Sequence, residues 1–274
     1  MSSSPASALR AAALATAWFW ILVGLSLPAS GAKPAAAASP GPPPEAPPGA
    51  PLSSDPRFVI GEQLARDDFT GGPGQWRVEL EAGGTVTARA RALEIDVPAG
   101  CTVWFRRPLA GPVLITYEAT VVDAGGPNDR VSDLNCFWMA TDARSPADLF
   151  AASRSGKFAD YDQLRCYYVG LGGNGNTTTR FRRYIGEPGR RPLLPEHDLN
   201  AKEDLLAPNV AQKIQLIAAG PVIGYYRDGR RLFAFRDPEP YTRGWFGFRT
   251  VHSHLRIRHF RVYRLAPRPG AAGG

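Results

Sequence analysis

From Trp76 onward, apolar and polar residues alternate in short runs broken by glycine and proline. Trp76, Val78 and Leu80 alternate, Gly83 and Gly84 turn the chain, and Val86, Ala88 and Ala90 lead into Leu93, Ile95 and Val97 with the same period of two. A turn at Pro98 to Gly100 precedes the run CTVWFRRPL, and residues 112–122 (PVLITYEATVV) make the strongest strand of this half. The second half repeats the habit at 164–169, 177–184 and 209–218. Residues 222–227 and 231–236 then flank Asp228-Gly229, the clearest hairpin signal in the chain. Residues 244–250 and 255–265 complete the series, and the one helical candidate is 146–152, with Ser145 placed to cap it. About a dozen short strands and no long helix predict an all-β fold, an antiparallel β-sandwich of jelly-roll type. One sheet of such a sandwich presents an outer face lined by alternate side chains from several strands, which can serve as a groove.

Ahead of the strands this pattern is absent. Residues 1–32 hold one charged side chain, Arg10, then an apolar run over 11–27 and the small residues Ser30 and Ala32, which predicts a secretory signal peptide. If the run were retained, it would act as a membrane tether instead. Residues 33–55 are a Pro/Ala-rich linker, the sandwich is expected over 56–265, and residues 266–274 read as a disordered tail. Export from a bacterial cell places the protein outside it, either secreted, at the surface or in the periplasm. The 274 residues carry a formal net charge of +7, with basic clusters at 180–183 (RFRR) and 256–264 (RIRHFRVYR). An exported chain has no nucleic acid to meet, so these clusters point to an anionic polysaccharide or oligosaccharide. Cys101, Cys136 and Cys166 lack metal-ligand spacing; Cys136 and Cys166 sit in apolar runs, either as buried thiols or as a disulfide.

The stretch 128–184 is too rich in amides, hydroxyls, arginines and aromatics to be packed core. Alternation puts Arg180 and Arg182 on one strand face with Thr178, and Asn135 with Phe137 opposite Cys136 with Trp138. Trp138 is then either core or a sugar platform. Several blocks together, namely the DDF at 67–69, PVLITYEATV, NDRVSDLNCFW, YYRDGRRLFAF and GWFGFRT, resemble the concanavalin A-like glucanase/lectin superfamily. More closely, they resemble a secreted bacterial family of that fold found among polysaccharide-degrading proteins. The resemblance covers about Asp67 to Leu265 and implies a carbohydrate-active protein: a hydrolase, a lyase or a binding module. The Glu-x-Asp-x-x-Glu strand of the superfamily's hydrolases is missing here.

A lyase that removes the proton beside a uronate carboxylate needs donors to neutralise that carboxylate and a tyrosine or histidine to move the proton. The expected catalytic set is Tyr168, His197, Arg180 and Asn135. The expected substrate-binding set is Trp138, Arg165, Asn174, Thr178, Arg182, Arg249, His252 and His254. The choice of Tyr168 over Tyr167 stays open, since neighbours on a strand face opposite ways. Cleavage by β-elimination is the first reading. A non-catalytic carbohydrate-binding module, or a glycoside hydrolase using Asp129 and Asp133, are the alternatives. His252 and His254 in VHSH have no visible third ligand, so no metal site is assigned to them. No cofactor is required, although the resemblance allows a structural calcium on the sheet opposite the groove, with Asp68 as the type of ligand.

Overall fold

The computed structural model describes residues 52–270. The signal segment 1–32, the linker up to residue 51 and residues 271–274 lie outside the described residues. Among the described residues no helix is long and apolar enough to cross a membrane.

The fold is an antiparallel β-sandwich organised by two long strands, β4 (Ala92–Phe105) and β14 (Arg243–Pro267), which pair along most of β4 and run through both layers. Around the first halves of β14 and the end of β4 lie β2 (Trp76–Leu80), β7 (Leu134–Asp142), β8 (Leu164–Gly172), β9 (Thr178–Ile185) and β10 (Asp198–Leu199). This first layer runs β10-β9-β8-β7-β14-β4-β2. The second layer uses the other halves with β1 (Phe58–Asp67), β3 (Thr85–Arg89), β6 (Val113–Val121), β11 (Gln212–Ala219), β12 (Val222–Arg227) and β13 (Arg230–Arg236). The short β5 (Leu109–Ala110) pairs the start of β14.

Period-two alternation gives each layer an apolar inner face, and these faces meet through aromatic contacts. Trp138 meets Tyr225 at 6.5 Å and Phe181 meets Phe235 at 5.6 Å between ring centroids. Trp76 packs on Phe248 at 5.1 Å and on Phe260 at 4.9 Å, joining β2 to both halves of β14. Trp138 is wholly buried here, so it is core and the sugar-platform reading of it is set aside.

The two outer faces are treated differently. On the second layer, Leu52, Phe58 and Ile60 cover Leu114, Ile217 and Tyr263. Asp55 accepts from Arg57 and from the Tyr226 hydroxyl (2.7 Å), so Leu52 and Asp55, expected in the linker, pack against the second layer. On the first layer, the connection between β7 and β8 crosses the sheet and buries Leu149 and Tyr161 against Trp104 and Phe137. Arg154 fixes that connection, binding Glu79 (2.9 and 3.0 Å) and Asp142 (2.9 Å).

Several expectations are corrected. The strand Phe58–Asp67 was not foreseen, because its FVIGEQLARD pattern is only loosely periodic. The chain does not turn at Pro98 to Gly100: β4 continues through it, and the irregularity belongs to the bend where both long strands change layer, opposite the bulge at His252 (φ 45°). The two segments 244–250 and 255–265 are accordingly one strand. The helix expected at 146–152 is a single 3-10 turn, Leu149–Ala151, capped by Asp148 rather than Ser145. Cys136 and Cys166 are free thiols in the two clusters on opposite faces of the first layer, which no disulfide can bridge. β14 carries pairing to Pro267, so the expected tail is ordered at its start.

Candidate functional site

The outer face of the first layer carries a groove of about 700 Å³. Its floor follows from register. Arg249 on β14 stands opposite Asn135 on β7, Asn135 opposite Gly170 on β8, and Gly170 opposite Arg180 on β9. In the next row Phe137, Tyr168 and Arg182 stand side by side. The Tyr168 ring leans over Gly170, where a Cβ would meet the Tyr168 hydroxyl at 3.0 Å and press the phenol aside by a few tenths of an ångström.

The walls come from loops. Arg130 and Asp133, ahead of β7, form an ion pair of 2.6 Å on one side. The turn Gly173–Asn176 supplies Asn174, held in the left-handed region (φ 54°) and bonded to Thr178 Oγ1 at 3.3 Å. Phe158 and Arg191 close the remaining side, the guanidinium lying 4.3 Å from the ring centroid.

The charges are spent unequally. Arg180 is bidentate to Asp198 (2.7 and 3.0 Å), and Arg191 binds Asp162 at 2.5 Å. Arg182 donates to the Arg191 carbonyl and has no carboxylate partner among the described residues. Burial, and behind it the like charges of Arg180 and Arg191, hold its pKa below the ordinary arginine value, although it remains a cation at neutral pH. The Tyr168 hydroxyl makes no hydrogen bond to another described residue, and burial together with the Asp133 charge pushes its pKa well up.

Of the residues singled out in the sequence, Asn135, Tyr168, Asn174, Thr178, Arg180 and Arg182 line this groove. Arg249 lies at the end of the same row, 1% exposed, with Nη1 donating to Thr102 Oγ1 (3.2 Å) and Gly156 O (2.5 Å). The others are elsewhere. His197 ends a 3-10 turn that tucks its ring between the layers against Phe181 (4.8 Å) and Phe233 (5.8 Å), where burial lowers its pKa. Arg165 sits exposed at the start of β8, on the side of Tyr167. His254 is clamped by Asp129 (3.0 Å) and Glu94 (2.9 Å), and His252 faces Pro127 O at 3.5 Å. Asp129 is taken up by His254 and by the Ala124 and Gly126 N–H groups, and among the described residues Asp133 is the one carboxylate lining the groove. The sequence reading passed over Arg130, Phe158 and Arg191; these loop residues carry no local periodicity that would assign them to a face.

Asp68 does not fit a calcium site: Arg261 already binds it at 2.7 Å, with His259 at 3.6 Å. Among the described residues no cluster of three or more His, Cys, Asp or Glu side chains is arranged for a metal. A smaller cavity of about 290 Å³ lies on the second layer's outer face, lined by Leu114, Glu118, Lys213, Gln215 and Tyr263 among others.

A family model described as a domain of unknown function (DUF6250) matches residues 95–260. No curated protein matches the chain. Among solved structures, a Bacillus subtilis protein of unknown function with a galectin-like fold is 18% identical, with a TM-score of 0.61 over 77% of this chain and 100% of that one. LamAcat from Zobellia galactanivorans is 10% identical, with a TM-score of 0.50 over 75% and 98% of the two chains. The carbohydrate binding module CBM66 from Bacillus subtilis is 10% identical, with a TM-score of 0.47 over 70% and 94%. At such identities the likeness to the first two establishes a fold and nothing finer.

Proposed function

The chain belongs to the DUF6250 family, and from its groove we propose that it holds an acidic saccharide on the outer face of the first layer. The observation that carries this reading is Arg182, a half-buried guanidinium crowded by two further arginines and given no carboxylate by the described residues. A ligand carboxylate or sulfate supplies the missing counter-charge, and a charge-assisted bond of this kind is about twice as strong as a neutral one. Asn135, Asn174, Thr178 and the Tyr168 phenol add donors and acceptors suited to sugar hydroxyls. The N-terminal apolar run, read as a secretory signal, supports an extracellular setting for such a partner. Affinity electrophoresis against uronate, sulfated and neutral polymers tests the reading: acidic polymers retard the protein and neutral ones do not. Equal retardation by neutral polymers would refute it.

β-Elimination is the second reading, favoured by the free Tyr168 hydroxyl beside Asn135. With its pKa pushed up, Tyr168 is suited to protonate a leaving glycosidic oxygen, not to abstract a proton. His197, the base expected from the sequence, is packed among phenylalanines between the layers. That leaves the groove better equipped for holding than for cutting. Absorbance of an unsaturated product from a uronate polymer, lost in Tyr168→Phe, would favour elimination; no absorbance with retained binding would leave binding alone.

A further inference from the structure

Half of the buried Arg249 guanidinium has nothing to bind. Nη1 is satisfied by Thr102 Oγ1 and Gly156 O, whereas Nε and Nη2 are inaccessible and have no hydrogen-bond partner among the described residues. Those two N–H groups share one edge of the guanidinium, the fork that accepts a carboxylate side-on. The same chain uses this fork repeatedly: Nε and Nη2 of Arg57 grip Asp55, those of Arg144 grip Asp142, those of Arg154 grip Glu79, and those of Arg180 grip Asp198. In Arg249 the fork is present and buried, and no carboxylate of the described residues reaches it. Glu81 comes close to Gly100, as Arg249 Nη2 does, but it accepts from the Gly100 N–H at 3.0 Å. Directly opposite Arg249, Asn135 spends its Nδ2 on Asp133 (3.2 Å) and leaves its buried Oδ1 without a partner. A buried charge and a neighbouring amide, both unsatisfied, are costly to keep unless something else completes them.

We propose that Arg249 receives a carboxylate at the end of the groove, so that the ligand class is a uronic-acid saccharide. This rests on the groove reading above and names the acid it takes. The carboxylate lies along the Nε/Nη2 edge, and Asn135 Oδ1 accepts from an adjacent sugar hydroxyl. Phe158 is the gate: it lines the groove with Arg191 on its ring at 4.3 Å and Arg249 at 5.3 Å, and it turns aside to admit the sugar.

The test is thermal melting and titration of the full chain with trigalacturonate, its methyl ester and a sulfated neutral trisaccharide. Trigalacturonate is expected to raise the wild-type melting temperature, and the ester is not. Arg249→Met, which removes two unpartnered buried donors together with the Nη1 bonds to Thr102 and Gly156, is expected to melt near wild type and to bind at least tenfold more weakly. Arg249→Lys keeps the charge without the fork and is expected to lose at least tenfold as well. Phe158→Ala is expected to associate faster. The proposal is overturned if Arg249→Met melts far below wild type, if Arg249→Lys binds trigalacturonate as wild type does, or if only the sulfated probe binds. Loss of binding in Arg182→Ala alone would keep the groove reading and discard this one; no response of the wild type to either acidic probe would discard both.

Discussion

Arg154, within the connection between β7 and β8, and Arg249, which donates to Gly156 of that connection, are both buried, yet their surroundings differ. Arg154 has its donors met by Glu79, Asp142 and the Leu149 carbonyl. Glu79 is in turn bonded by the Trp104 indole and the Tyr161 hydroxyl, each at 2.9 Å. Arg249 lies 4.9 Å from the Tyr161 ring centroid, with two donors that meet no acid among the described residues. A closed ionic network of the first kind fixes a loop. An open one of the second kind is an arrangement completed from outside, and it stands at the end of a row that leads into the groove.

The comparison breaks most visibly in stability. Arg154→Met leaves Glu79 buried without its cation and Asp142 with Arg144 alone, and is expected to lower unfolding free energy by about 3–5 kcal/mol, read from urea denaturation. A loss of the same size in Arg249→Met would erase the distinction. Tyr161→Phe removes one of several bonds to Glu79 and is expected to lower stability by about 1 kcal/mol while leaving ligand affinity unchanged; a change in affinity would tie the closed network to the groove.

The smallest effect concerns acid. Burial raises the Asp142 pKa, but the hydrogen bonds and charge of Arg144, with the charge of Arg154, outweigh it and leave the carboxyl below its ordinary value of 3.8. A folded pKa below the unfolded one gives stability that is fully present above about pH 4 and is lost as pH falls through the lower folded value. Asp142→Asn is therefore expected to flatten the acid limb of a stability–pH curve measured between about pH 2 and 5; an unchanged limb would mean that other carboxylates set it.

The all-β class and most strands were legible because a strand's period of two is written locally. TTTRFRRY already separates Arg180 and Arg182 from Phe181, and β9 keeps that split. What the period cannot tell is which face a neighbouring element covers. His197 looked like an available base, but its burial depends on Phe233, far along the chain in β13. Arg249 was picked for its residue type alone; only register with Asn135, and the tally of its donors, distinguishes it from the other arginines of the chain. Pro98 to Gly100 was a local irregularity that read as a turn, whereas together with the bulge at His252 it marks the bend where β4 and β14 pass between layers.

The central claim is that the first layer's outer face, not the second's, meets an acidic sugar. Nitrogen-15 NMR of the protein titrated with trigalacturonate tests it most directly. The account predicts shifts that map to Asn135, Gly170, Arg180 and Arg182 in the groove and are suppressed in Arg182→Ala. Shifts confined to Glu118, Lys213 and Gln215 around the cavity of the second layer, or no shifts at all, would contradict it.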